Sequence, residues 1–279
     1  MVFEKDQTID FDTNQYINAS MIKVVIDSQQ GYFEPDKQRV KYIATQAPME
    51  STLDTFWQMI WKLNIRDIFC LTKAQENGKE MAHVYWKSTE GLHLDEFHLK
   101  VQGKTEEGIA IKRDIDFINT INKENRKIYH FHLESWDDDK APTLPDDIEA
   151  ILIVAEQCAK ELHLNKEAKV LVHCSAGIGR TGVFICLVEI YGFLSALAAK
   201  SKSMSLSIQE VCNDDPTAVI SIFDLVRSLR EQRWGSVRTF VSSALHRSNI
   251  NSSMKLQGIT FLSCSVHWFN NYYYYPAHC

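Results

Sequence analysis

Cys174 and Arg180, with five residues between them, bracket the stretch of this chain best suited to chemistry: Lys169-Val170-Leu171-Val172-His173-Cys174-Ser175-Ala176-Gly177-Ile178-Gly179-Arg180-Thr181-Gly182. Val170 to Val172 form the short apolar run of a buried strand, and Val183 to Val188 continue as a helix apolar on nearly every side. Between them, Ser175, Ala176, Gly177, Ile178 and Gly179 can curl their backbone N–H groups around one anion, helped by the positive end of the helix dipole. Those N–H groups and the guanidinium favour a thiolate at Cys174, and a thiolate is a nucleophile at neutral pH. The span from Cys174 to Arg180 lets a planar guanidinium close on two phosphate oxygens, which a lysine would not do. The chemistry implied is attack of sulfur on a cradled phosphorus.

Other readings of the same residues are weaker. Gly177-x-Gly179-x-x-Gly182 satisfies the dinucleotide-binding glycine pattern, but no second strand ending in an acidic residue follows at about 20 residues. A nucleotide-triphosphate loop needs lysine before its hydroxyl residue, and here Arg180 precedes Thr181. An inert buried cysteine would explain neither the glycines nor the arginine.

The run His173 to Gly182 resembles the signature of the phosphotyrosine-specific protein tyrosine phosphatases. That resemblance implies a two-step cysteinyl-phosphate mechanism with no metal or cofactor. Cys174 would attack, while Arg180 and the loop amides stabilise the equatorial oxygens. Thr181 would hydrogen-bond the departing thiolate, and His173 would support the loop and the cysteine.

A phosphate monoester leaving group also needs a proton, so a carboxylic acid is expected outside the cradle. Trp136-Asp137-Asp138-Asp139-Lys140-Ala141-Pro142 resembles the family's Trp-Pro-Asp loop, with the acid at Asp138 and Trp136 in support. Asp137 stands where the family has proline, which is expected to loosen the loop. The bland alternative is an exposed acidic turn. Glu76, in Glu76-Asn77-Gly78-Lys79, resembles the family glutamate that holds the signature arginine; its alternative is a surface turn residue. The family's loop lysine falls on Met81, and the family's glutamines fall on Arg238 and Ser242.

These side chains need a frame. Asn14 to Ser20, Val40 to Pro48, Ile68 to Thr72, Ile109 to Ile111 and Lys127 to Phe131 read as strands, and Leu92, Leu94, Leu99 and Val101 mark a half-exposed one. Ser51 is expected to cap a helix burying Leu53, Phe56, Trp57, Ile60 and Trp61 on one face. Further helices are expected over Ile148 to Leu162, Val183 to Leu197 and Pro216 to Arg233. Consecutive strands followed by strand-helix alternation predict an α/β (α+β) fold with a mixed sheet packed by helices. The resemblance implies the phosphatase fold, a twisted mixed sheet flanked by helices.

With 279 residues, 45% apolar and 24% charged, the chain can bury one large core. A net charge of −6 argues against nucleic acid as partner. Seven cysteines, an odd number without framework spacing, suit a reducing compartment. No membrane span or signal peptide is evident, which points to the cytoplasm, or the interior of a host cell if the protein is viral or bacterial.

The resemblance covers residues 1–239, read as the catalytic domain. The family's first helices and its ring-stacking tyrosine loop would precede Met1. After Glu231 no acidic residue occurs, so residues 240–279 read as an atypical tail produced by a frameshift, altered splice or mispredicted exon, or as a divergent docking segment. The expected function is hydrolysis of phosphotyrosine in proteins or peptides. Two alternatives are a phosphotyrosine-binding module with little turnover and a phosphatase of wider specificity. Oligomeric state is not readable from the sequence.

Overall fold

The structure is a computed structural model. It describes residues 16–24, 39–86, 91–107, 110–138, 145–200 and 222–237, and the backbone of 254–256 and 259–261. Its centre is one eight-stranded sheet built from β1 (Ala19–Ile22), β2 (Tyr42–Thr45), β3 (Asp67–Cys70), β6 (Leu92–His93), β7 (Phe97–Glu107), β8 (Ala110–Asn119), β9 (Asn125–Leu133) and β10 (Val170–His173). Strand order is β1-β2-β10-β3-β9-β8-β7-β6. The four central strands β2, β10, β3 and β9 are parallel, and β1, β8, β7 and β6 pair antiparallel at the two sides. The sheet is therefore mixed and helix-flanked, as expected.

Parallel strands buried on both faces are apolar almost without interruption. In β10, Val170 and Val172 face one core while Leu171 faces the other. The first core is closed by α2 (Pro145–Leu164), α3 (Gly179–Lys200) and α4 (Ile222–Gln232). There Phe69 of β3 stacks on Phe131 of β9 with centroids 4.9 Å apart. The second core lies under α1 (Leu53–Lys62), whose Leu53, Phe56, Trp57 and Ile60 are buried. Trp61 is half-buried at the edge of that core, 5.1 Å from Phe117.

Several expectations need correction. Ser51 does not cap α1; it lies inside a 3-10 turn over Glu50–Thr52, where the Thr52 hydroxyl accepts the Met49 N–H at 3.0 Å. The half-exposed strand is two strands, β6 and β7, joined by a turn closed by the Leu94 N–H to the Phe97 carbonyl. The strand expected over Ile109 to Ile111 is longer: β8 runs from Ala110 to Asn119, because consecutive residues along its length pair with β7 on one side and β9 on the other. The Glu76–Lys79 turn is a two-residue hairpin between β4 (Gln75–Glu76) and β5 (Lys79–Glu80). Asn77 and Gly78 both have positive φ there, 51° and 76°, as such a turn requires.

Pro216, Arg238 and Ser242 lie outside the described residues, as does the tail apart from the paired strands β11 (Met254–Leu256) and β12 (Ile259–Phe261). No helix among the described residues is long and apolar enough to cross a membrane.

Candidate active site

In a parallel sheet the carboxyl ends of the strands gather at one edge, where ligands bind. Here β10 delivers Cys174, β3 delivers Thr72 and the hairpin that carries Glu76, and β9 delivers Trp136 to Asp138. Three loops far apart in sequence thereby meet.

The loop after β10 is held from outside. The carbonyl of Ser175 accepts the Ala47 N–H at 2.9 Å, that of Ile178 accepts the Val237 N–H at 3.0 Å, and those of Ala176 and Gly177 accept from the Arg233 guanidinium at 3.2 and 2.6 Å. In a planar trans peptide the N–H points opposite to the C=O. Four outward carbonyls therefore turn the amides of Ala176, Gly177, Ile178 and Gly179 inward. The Gly177 N–H lies 3.3 Å from the Cys174 Sγ, which places the sulfur among them.

Only glycine fits at 177: φ is +69°, and an added Cβ would overlap the Thr45 carbonyl. At 182, a Cβ would come within 2.8 Å of the Val237 nitrogen.

Arg180, in the first turn of α3, is 1% exposed. Its Nη1 donates to Glu76 Oε1 at 2.9 Å and to the Trp136 carbonyl at 2.8 Å. Its Nε and Nη2 are buried without a hydrogen bond. Asp138 Oδ1 lies 2.9 Å from Nη2, but off the line of the N–H, so the contact is an ion pair only. Nε and Nη2 form one edge of the guanidinium fork, the edge that grips a phosphate bidentately. The other Glu76 oxygen accepts the Asp138 N–H at 2.9 Å. Glu76, Trp136, Asp138 and Arg180 are thus brought together.

Thr181 is fully buried, yet its hydroxyl makes no hydrogen bond. The bond to the cysteine expected from the sequence is not formed in this state; the sulfur's contact is with the Gly177 amide.

His173 is also fully buried. Its Nδ1 donates to the Cys174 carbonyl at 3.0 Å, leaving Nε2 to accept the Tyr85 hydroxyl at 2.6 Å. Tyr85 in turn accepts from His130 Nε2 at 3.1 Å, and the Arg113 Nη1 stands 3.3 Å from both His130 Nδ1 and His132 Nδ1. Each partner fixes the next tautomer. Burial drives all three imidazoles toward the neutral form, His132 and His173 down to about 4 and His130 well below its ordinary range. A neutral His173 has both ring nitrogens engaged within the protein, Nδ1 on the Cys174 carbonyl and Nε2 on the Tyr85 hydroxyl.

Tyr85, His130, Arg113, Thr45 and Arg233 had no local sequence signal, because each acts through a partner at least 17 residues away. Met81, where a lysine was expected by resemblance, is buried. No group of His, Cys, Asp and Glu among the described residues could hold a metal ion.

This geometry has known counterparts. The protein-tyrosine phosphatase family model matches residues 5–242. The chain belongs to the protein tyrosine phosphatase family. It is 31% identical over 255 residues to Tyrosine-protein phosphatase 3 of Dictyostelium discoideum, across 89% of this chain and 23% of that protein. It is 30% identical to the mouse non-receptor type 13 phosphatase, across 82% of this chain and 8% of that protein. The chain therefore spans less than a quarter of the length of these two relatives. A solved structure of PTPN18 in complex with HER2 phosphotyrosine peptides matches with a TM-score of 0.61 and 26% identity, covering 80% of this chain and 66% of that one.

Proposed function

We propose that this phosphatase domain hydrolyses phosphotyrosine in proteins or peptides. The observation that carries this reading is the cradle: inward amides around the Cys174 sulfur, closed by the unbonded Nε–Nη2 edge of Arg180. In the first step Cys174 Sγ forms a bond to phosphorus while the tyrosine oxygen leaves, taking a proton from a protonated Asp138. The phosphate takes over the Nη2 that Asp138 contacts, which frees the carboxyl to face the ester oxygen. Charge developing on the equatorial oxygens is met by the amides of Ala176 to Gly179 and by Arg180. In the second step water cleaves the S–P bond, releasing phosphate, and Thr181 stabilises the thiolate that departs. Glu76 and the Trp136 carbonyl keep Arg180 pointed, and His173 steadies Cys174 from behind.

Residues 1–239 form the catalytic unit in this reading and 240–279 an atypical tail. Four buried free cysteines, Cys70, Cys158, Cys174 and Cys186, support a reducing, cytoplasmic setting. The PTPN18 complexes with phosphotyrosine peptides support substrates of that class.

Purified protein assayed on phosphotyrosine and phosphoserine peptides tests the proposal, with Cys174→Ser as control. Turnover confined to phosphotyrosine and lost in Cys174→Ser is expected. Binding of phosphotyrosine peptide without turnover would mark a binding module, and equal rates on phosphoserine a phosphatase of wider specificity.

A further inference from the structure

We propose that Lys73 is a positioning residue for the general acid, gripping Asp137 so that Asp138 is presented over Arg180. This rests on the phosphatase reading of the site. Three consecutive residues of the loop after β9 are each held by a different group. The Trp136 carbonyl accepts from Arg180 at 2.8 Å, the Asp138 N–H donates to Glu76 at 2.9 Å, and between them the Asp137 carboxylate accepts from Lys73 Nζ at 2.6 Å. Lys73 and Glu76 both belong to the short segment leaving β3, so that segment holds two adjacent residues of the acid loop.

Charge explains why a cation is needed there. Glu76, Asp137 and Asp138 bring three carboxylates to one place, and Arg180, the cation between them, already contacts Glu76 and Asp138. Lys73, at 2.6 Å from the Asp137 carboxylate, offsets part of the repulsion among these carboxylates and holds the loop toward the cradle. A proline at 137 would restrict the loop through its own backbone. An aspartate cannot, and the chain restrains the same position from outside, through an ion pair.

The two restraints differ in a measurable way. Arg180 is sealed from solvent, whereas the Lys73 and Asp137 side chains are 38% and 42% exposed. Salt screens exposed pairs and leaves buried ones largely untouched. Positioning of the acid is therefore sensitive to ionic strength, while the grip of Glu76 on Arg180 is not.

The experiment combines two readouts across Lys73→Ala, Asp137→Pro, and the double exchange Lys73→Asp with Asp137→Lys. The first readout is turnover of a phosphotyrosine peptide against turnover of an aryl phosphate with a much better leaving group, at low and high salt. Lys73→Ala should slow the peptide about two- to five-fold, the effect that exposed ion pairs have on an equilibrium, with a smaller loss on the better leaving group. High salt should slow the parent alike and leave Lys73→Ala unchanged. The double exchange and Asp137→Pro should both recover the peptide rate, the latter independently of salt.

The second readout is hydrogen exchange of the Asp138 amide, which should speed up by the same factor in Lys73→Ala whether or not the protein turns over. Equal losses on both substrates, or Asp138 exchange unaltered by Lys73→Ala, would overturn the positioning role. A parent protein with no turnover but with the exchange effect intact would overturn the phosphatase reading alone.

Discussion

Glu76 and Arg180 meet at 2.9 Å across 104 residues of sequence, and the same carboxylate also receives the amide of Asp138. In the proposed mechanism, one side chain thereby fixes both the group that would grip phosphate and the backbone of the group that would supply the proton. A hydrogen bond to a charged partner contributes about 1.5–3 kcal/mol, so Glu76→Ala should lower kcat/KM on a phosphotyrosine peptide about 10- to 100-fold. Steady-state kinetics check this, and an unchanged value would remove Glu76 from the site.

Asp138→Ala should lower the rate on a phosphotyrosine peptide by about 10² to 10⁴, the usual worth of a positioned general acid. The loss should shrink for a better leaving group. If Asp137→Ala or Asp139→Ala, rather than Asp138→Ala, shows a leaving-group-dependent loss of that size, the acid is assigned one residue off.

Acid should destabilise the fold through the imidazoles behind Cys174. Folding lowers the affinity of His130, His132 and His173 for protons, from an ordinary value of 6.5 down to about 4 for the latter two. The unfolded chain therefore binds more protons in that interval. The stabilisation is complete above about 6.5 and is lost as pH falls toward 4, each histidine contributing a slope of about 1.4 kcal/mol per pH unit. Urea unfolding at pH 7, 6 and 5 should show the decline, and a flat midpoint would contradict the neutral forms.

Gly177→Ala should cost both stability and phosphate affinity. The left-handed backbone alone penalises a side chain by about 1–2 kcal/mol, and the methyl would push the loop off the Thr45 carbonyl. Chemical denaturation and phosphate-protection measurements check it; parent-like values in both would show that the loop can shift without consequence.

Pre-steady-state kinetics should show a burst of released phenol close to one equivalent of enzyme, followed by a slower steady rate. The resemblance places on Ser242 a glutamine that holds the hydrolytic water, and serine carries no amide. A linear trace with rapid turnover would contradict this.

Much of the frame was legible in the sequence. Val170 to Val172 announced a doubly buried strand, and the helix after Gly179 followed from its unbroken apolar run. Cys174, Arg180 and the glycines stood out because a local loop must contain its own amides and its own nucleophile within a few residues. Asp138 and Glu76 were reachable only by resemblance, since nothing local distinguishes a carboxylate in an acidic turn from one aimed at an arginine. Arg233, Tyr85 and Arg113 were invisible: a buried arginine on a helix end reads as surface charge until the carbonyls it binds are brought to it by the fold.

Arg233 has one more implication, which concerns the order in which the protein is made. Its guanidinium ties Asn18 and Ser20, near the start of the chain, to the carbonyls of Ala176 and Gly177. A ribosome releases Asn18 first, Cys174 later and Arg233 last. The outward carbonyls of the loop thus remain without this clamp while α3 and α4 are still being synthesised. In the proposed mechanism, a nascent chain that already displays Cys174 would lack part of the scaffold that shapes its phosphate cradle until residue 233 is made.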